Sequence, residues 1–447
     1  MATKAGEAPE LLEVPTTPAA PAAISELPRV RLSLWFLMII YACNYIDRQV
    51  LNILAHPISA ELKLTDTQIG LMTGLAFAFF YTIMGIPLAR YADNQGKNRV
   101  ALISLAVATW SLMTAVCGLA RNFPQLFLAR MGVGIGEAGC TPAATSLIAD
   151  LVPRERRARA MAFYGIGLPL GSLLGLVGGG TLSDAFGWRA AFFVVGLPGL
   201  LLAAMTWWLV PEPRHSRRHR EQPETAKVPS MKLGEVTREI LASRSFVWMT
   251  LGSCFGAFLA YGKGVWQIIF LIRVHDLTAG QVGLWLGLAA GIFGIGGTLL
   301  GGWLGDRLGS RRPEQYLTAQ IAGAVLMVPF MLAGYLVDDW RVAIACLALP
   351  GLLSTLGFGP TFMAINGVMK PQARAVAVAV RLFVQTAVGL GLGPLMFGIA
   401  SDWLKPSYGE RSVQVVLICA AFLSLLNAFC EWRASRHLGR ELRYMDN

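Results

Sequence analysis

Residues 126–159 read LFLARMGVGIGEAGCTPAATSLIADLVPRERRAR, and this stretch decides the fold. As far as Ile148 nearly every residue is apolar or small enough to sit in hydrocarbon, yet Arg130 and Glu137 stand among them. Their spacing puts both on one helical face, about 10 Å apart along the axis. A charge at the centre of a bilayer costs about 2.5–3.5 kcal/mol on the insertion scale. Such residues therefore face a protein interior or a watery cavity, and they mark a substrate or proton route.

The surrounding chain has the same character. Of its 447 residues 55% are hydrophobic and 15% charged, against roughly a quarter charged in a soluble domain. This composition predicts an all-α integral membrane protein. Apolar runs long enough to span a bilayer recur twelve times, near 32–54, 68–90, 100–120, 124–150, 158–183, 189–210, 245–272, 279–305, 315–337, 341–368, 375–402 and 412–432. Backbone groups in lipid must be satisfied within the segment, so these are helices; barrel strands are shorter and alternate. With the N-terminus placed inside, most of the 38 Lys and Arg fall on the inner side, which predicts cytoplasmic N- and C-termini. The net charge of +11 then meets anionic lipid headgroups, and no aromatic-interleaved basic surface suggests nucleic acid.

The first span carries Asn44, Asp47 and Arg48. It runs outward and the fourth runs inward, and Asp47 and Glu137 each lie a similar distance from the inner end of their span. The two carboxylates are expected at similar depth, with Arg130 further out, the four charges meeting around a shared wet hollow. A purely structural ion-pair cluster is the alternative, but small residues hold membrane helices together more cheaply. In the second half Lys263 and Arg381 are the intramembrane charges, both positive, and snorkelling to an interface is the competing reading for them. Asn366 and Gln385 offer neutral hydrogen bonds.

A repeated mark divides the chain. The second span ends with Asp93 and Gly96 before Lys97 and Arg99, and the eighth ends with Asp306, Arg307, Gly309 and Arg311 in the same order, close to half the chain later. Asp184 after the fifth span and Asp402 after the eleventh form a second such pair. The spans therefore fall into two pseudo-symmetric six-helix halves. A step of three spans from Asp93 to Asp184, and from Asp306 to Asp402, puts the marks on opposite sides, an inverted repeat nested in each half. The expected organisation is a disordered cytoplasmic tail at 1–28, bundles at 29–210 and 244–438, a cytoplasmic linker at 211–243 and a short tail at 439–447. The first tail lacks the pattern of a cleaved signal peptide, which favours a bacterial inner membrane.

Other motifs fail on context. GIGEAG at 134–139 matches GxGxxG, but no strand precedes it, and its glycines better serve close helix packing. GAFLAYGKG at 256–264 has the wrong glycine spacing for a P-loop and Gly264 where Ser or Thr is needed. The seven cysteines fall in or beside apolar spans without CxxC pairing. His215 and His219 lack a third ligand, so neither a metal nor a cofactor is expected. No catalytic motif is found, so an enzyme is not expected, and without an ATPase domain uphill transport must draw on an ion gradient.

Twelve spans, a cytoplasmic central loop and the Asp/Gly/basic marks resemble the major facilitator superfamily over essentially the whole chain outside the tails. The first mark departs from the family pattern, with Ala89 for the leading glycine and Asn94 where a basic residue follows Asp93. NYIDRQVL in the first span, together with ARMGVGIGEAGCTPAATSLIADLVPRERRARAMAFY, resembles the spinster branch, which includes bacterial relatives of animal sphingosine-phosphate and lysophospholipid exporters. The resemblance implies an alternating-access carrier whose spans 1, 4, 7 and 10 line the cavity, with Asp47, Arg48, Arg130 and Glu137 matching the family's charged positions. Lys263 and Arg381 are assigned from burial alone.

Three readings follow. The first is a proton-coupled exporter of an amphiphilic anion such as a lysolipid, with Asp47 or Glu137 carrying the proton. Its anionic head would meet Arg48, Arg130 or Lys263, and its tail would lie on Phe79, Tyr164, Trp266 and Phe383. The second is a carrier of small organic anions such as sugar acids or aromatic acids, and the third a non-transporting scaffold. The expected partners are that small molecule, protons and membrane lipids, with the protein acting as a monomer.

Overall fold

The computed structural model describes residues 27–94, 97–215, 233–309 and 313–442. The expected N-terminal tail, most of the linker, Gly96, Arg311 and the last residues of the C-terminal tail lie outside them. Among the described residues every regular element is helical.

Among the described residues nine stretches are long and apolar enough to cross a membrane. Two of these, Arg157–Leu209 and Val376–Glu441, hold a reversal at a glycine with positive φ, Gly187 at 81° and Gly409 at 55°. Adding 123–151, where Arg130 and Glu137 lower the hydropathy, gives twelve columns. Helix 1 is Leu27–Leu62. Helix 2 joins Asp66–Gly70 through a π-helical turn, Leu71–Leu75, to Ala76–Asp93. Helix 3 is Arg99–Cys117, and helix 4 comprises Phe123–Glu137 and Cys140–Leu151. Helix 5 runs from 157 to 186 and helix 6 from 188 to 209. Helix 7 is Arg244–His275, helix 8 Ala279–Gly309 and helix 9 Thr318–Leu336. Helix 10 comprises Trp340–Thr355 and Phe358–Val368. Helix 11 joins Arg374–Thr386 through a π-helical stretch, Ala387–Leu392, to Gly393–Tyr408. Helix 12 comprises Ser412–Ala421 and Leu423–Glu441.

Local chemistry sets these boundaries. Asn98, Asn122 and Ser243 each accept a hydrogen bond from a backbone N–H of the first turn of helices 3, 4 and 7, satisfying groups a helix start leaves orphaned. Helix 4 breaks directly after Glu137 because Pro142 offers no N–H to the carbonyl of Ala138, and helix 10 breaks likewise ahead of Pro360.

Small residues let the columns approach. Gly167, Gly171, Gly175 and Gly179 form a ladder along helix 5, and a Cβ on each would come within 3.0 Å of helix 1, at Met38, Ala42, Ile46 and Val50 in turn. Helices 1 and 5 therefore run parallel in backbone contact, the small-residue packing favoured in membranes. The GIGEAG glycines do the same, Gly134 against Phe77 and Gly136 against Trp110.

The halves meet along two related seams. In one, Gly70 and Gly74 of helix 2 lie on Pro394 and Leu390 of helix 11; in the other, Gly283 of helix 8 lies on Leu176 of helix 5. Both are capped by the repeated aspartates. Asp402 accepts the backbone N–H groups of Asp66 (3.0 Å) and Thr67 (2.7 Å) at the start of helix 2, and Asp184 accepts that of Gly280 (2.9 Å) at the start of helix 8. A carboxylate at a helix N-terminus completes its free donors and complements its dipole. All hydrogen bonds and ion pairs between the two halves, among the described residues, lie at this end, away from the chain termini. At the terminal end the polar contacts stay within a half, as in Arg99 with Asp150 and Glu212 or Glu441 with Ser243. The halves are therefore bonded to one another at the end away from the chain termini.

Candidate functional site

Helices 1 and 4 bring the four expected charges together as two crossed ion pairs. Arg48 reaches Oε2 of Glu137 with Nε at 2.8 Å and a terminal nitrogen at 2.7 Å, while its neighbour Asp47 takes Arg130 at 3.3 Å. The length of the arginine side chains bridges the depth difference between Arg130 and the carboxylates. The Thr114 hydroxyl of helix 3 donates to the other oxygen of Asp47. Tyr45, Phe77 and Tyr81 surround the Arg48 guanidinium at 5.3, 4.7 and 5.1 Å from their ring centres, within cation–π range.

The shared wet hollow expected around all four groups is not what the structure contains. Asp47, Glu137 and Arg130 are 1%, 1% and 2% exposed, sealed by helix 3 and by the rings, and of the four only Arg48 keeps an open side chain, 20% exposed. Two polar atoms in this cluster have no partner, Oε1 of Glu137 and Nε of Arg130. Asn44 is buried one turn from Arg48.

The first gate mark divides into a buried part and an exposed part. Arg99 is fully buried and grips Glu212 and Asp150, each at 2.6 Å, with further bonds to Ser146. Burial raises the Glu212 carboxyl, but the Arg99 guanidinium and backbone N–H outweigh it and hold the group below the ordinary range. Asp93 and Lys97 are exposed, Lys97 lying over the Tyr91 ring at 5.4 Å. In the second mark Asp306 and Gly309 belong to the end of helix 8, and Arg307 is exposed over Trp303 at 5.2 Å.

In the second half a cavity of about 340 Å³ lies among helices 7, 9, 10, 11 and 12, lined by Lys263, Arg381, Gln385, Tyr261, Gln320 and Asn427 among others. Arg381 does not snorkel. It is buried, and it donates to the Ser253 hydroxyl from Nε (2.9 Å) and a terminal nitrogen (2.6 Å). Asn366 is exposed outside this lining.

Two expectations need correction here. The second half is not purely cationic: Glu431 is fully buried in helix 12 and accepts a bond from Gln320 at 2.9 Å. It reads in sequence as the polar end of an apolar run, whereas helix 12 continues to Glu441 and leaves it well inside. Of the aromatics expected to cradle an apolar tail, Trp266 is fully buried with its indole N–H on the Pro394 carbonyl at 2.8 Å. Tyr164 is buried against Tyr41, with ring centres 4.5 Å apart. These two hold helices together, while Phe79 and Phe383 are exposed.

Sequence reasoning missed Thr114, Asp150, Glu212, Ser253 and the Asp66–Arg273 pair. One legible signal was passed over. LTDTQIG at 64–70 and LTAGQVG at 277–283 are the same phrase in the two halves, and each is an N-terminal capping box, Thr65 with Gln68 and Thr278 with Gln281.

The profile described as Major Facilitator Superfamily matches residues 37–394. The chain belongs to that superfamily. Its members are transporters that bind small molecules. This superfamily member is 32% identical over 407 residues to an MFS-type efflux pump of Mycolicibacterium smegmatis, covering 91% of this chain and 92% of the other. It is similar to the crystal structure of a bacterial homologue of the human lysosomal transporter spinster, inward-facing and unoccupied. That match has a TM-score of 0.84 and 30% identity and covers 93% and 99% of the two chains. A probable L-galactonate transporter of Escherichia coli is 28% identical over 278 residues, 59% of each chain. The spinster-like resemblance read from helices 1 and 4 is thus shared by the whole fold.

Proposed function

We propose that the chain is a secondary active transporter of a bacterial inner membrane that moves an amphiphilic anion by alternating access, driven by protons. The observation that carries this reading is the crossed pairing of helices 1 and 4. A carboxylate sealed from water and held by a single arginine is poised between two states, charged and paired, or protonated with the arginine released. Glu137 is the better proton carrier of the two, since one of its oxygens is buried without a partner and its arginine is the one with open surface. Protonation of Glu137 frees Arg48 for an anionic head, and loss of the proton draws helices 1 and 4 together again; that exchange biases a two-state equilibrium. Asp47, held by Thr114 as well as Arg130, has the more structural part.

The cavity of about 340 Å³ in the second half fits the head of such a molecule, with Lys263 and Arg381 supplying positive charge. Its size equally suits a small organic anion, and the likeness to a probable L-galactonate transporter favours that second reading. Proteoliposomes given a labelled lysophospholipid or a labelled sugar acid, each with and without a pH gradient, separate them. Gradient-dependent flux of the lysolipid alone supports the first reading, of the sugar acid alone the second. Flux of either that ignores the gradient overturns the coupling.

A further inference from the structure

We infer that Glu431 is a second proton-carrying carboxylate, placed in the other half of the molecule and working against Arg381; this rests on the reading that protons drive the cycle. Glu431 is fully buried. Its Oε1 accepts the amide N–H of Gln320 at 2.9 Å, and the carbonyl of Gln320 accepts in turn from the Thr361 hydroxyl at 2.8 Å. The Thr361 hydroxyl also lies 2.7 Å from the Gly357 carbonyl of its own helix. Oε2 of Glu431 has no partner, nor has Oδ1 of Asn427 one turn earlier on the same helix. Both side chains border Gly252, whose Cβ would stand 3.0 Å from Oε1 of Glu431 and 3.1 Å from Oδ1 of Asn427. No hydrogen bond fixes which end the Asn427 amide turns to Glu431, but Glu431 has no cation within ion-pair distance among the described residues, and a proton on Oε2 removes an unpaired buried charge.

Arg381 shows the complementary shortage. A guanidinium has five N–H donors, yet Arg381 spends its described bonds on one Ser253 hydroxyl, with the Phe362 ring at 5.9 Å and no carboxylate within ion-pair distance among the described residues. Arg381 lines the same cavity as Gln320, which bonds Glu431, and Asn427, one turn before it. The other titratable groups facing this corner are Cys254 of helix 7 and Cys430 of helix 12, while helices 9 and 10 offer the neutral Gln320 and Thr361. Lys263 lines the same cavity further along helix 7.

The step is a proton transfer. The Glu431 carboxyl gives its proton to water in the cavity that Gln320 and Asn427 line, and Arg381 leaves Ser253 to pair with the carboxylate. Helices 11 and 12 are thereby drawn together in the second half, as helices 1 and 4 are in the first. Each half then holds one arginine that is either bound to a carboxylate or free for substrate.

Infrared spectra of the purified full-length protein in lipid nanodiscs test this through the carbonyl stretch of a protonated carboxylic acid. Wild type at neutral pH is expected to show the band, E137Q to keep a component of it, and E431Q to lose that component. Because E431Q keeps an acceptor for Gln320 and is the uncharged isostere of the protonated acid, its thermal stability is expected to match wild type. Its flux under a pH gradient is expected to fall roughly tenfold while exchange without a gradient persists. An unchanged band in E431Q, or a marked loss of its thermal stability, overturns the proposal and leaves the role of Glu137 standing. Wild-type flux indifferent to the gradient overturns the coupling reading itself, whatever the band shows.

Discussion

Arg273 of helix 7 holds both oxygens of Asp66 at the start of helix 2, at 2.8 and 3.0 Å, and so ties the two halves together at the end away from the termini. Ser401 adds a bond to the same carboxylate at 2.6 Å, and Asp402 caps the helix that Asp66 begins. Asp66 is fully buried, so its charge depends on this partner. Removing one member of such a pair costs about 3–5 kcal/mol, because the other is left buried and unpaired. R273A is therefore expected to weaken this tie and populate a state in which the halves part at this end. Spin labels at the exposed Leu119 and Leu336, one in each half at this end, should report a longer distance population. An unchanged distribution would mean that the seams close without the pair.

The glycine ladder of helix 5 leaves no room for side chains. A Cβ at Gly171 would stand 2.2 Å from the Ala42 carbonyl, whereas one at Gly178 meets nothing within 4 Å. G171V is expected to destabilise by at least the roughly 1–3 kcal/mol of an overpacked core, and G178A to leave stability unchanged or slightly raised, since alanine is the better helix former. Thermal unfolding of the two variants in one detergent makes the comparison.

Asp47 and Arg130 can be tested for structural against transport roles. D47N leaves Arg130 buried without its counter-charge and is expected to lose about 3–5 kcal/mol. D47N/R130M removes both charges and should recover most of that loss. Transport that recovers along with stability would assign the pair to holding helices 1 and 4; stability recovered without transport would assign it to the cycle.

Glu212 sets an acid limit on the first half. Its carboxyl is held below the ordinary value by Arg99, so the pair's contribution is complete above the unfolded-state value, about 4.3 for a glutamate. It is lost as pH falls through the lower folded-state value. Wild-type thermal stability should thus decline below about pH 4.3, and E212Q, less stable at neutral pH, should show a shallower decline. Parallel acid limbs in the two proteins would remove Glu212 from that dependence.

Lys263 forms no ion pair among the described residues, and it lines the second-half cavity. A charge-assisted hydrogen bond to an anion is worth about 1.5–3 kcal/mol. K263A is therefore expected to weaken substrate binding by roughly tenfold or more with little change in thermal stability. Calorimetric titration against the transported anion reads the first, and a melting curve the second.

The all-helical membrane fold, its division into halves and the partnership of helices 1 and 4 follow from sequence alone. Length, apolarity and period are properties of the chain, and hydrocarbon leaves an apolar run of this length one way to satisfy its backbone. The repeated aspartates were visible too, though not what they touch. Which arginine takes which carboxylate was decided only in three dimensions. Asp47 and Arg48 are adjacent in sequence but point to different neighbours, and the Thr114 hydroxyl and the ring of Phe77 come from helices 3 and 2. Glu431 shows the same limit from the other side: it is packed against Gly252 of helix 7 and bonded by Gln320 of helix 9, and no local pattern around an acid near the end of an apolar run conveys that. Depth in the membrane is one-dimensional and can be read along the chain, whereas the direction a side chain faces depends on helix rotation, which packing against distant segments sets.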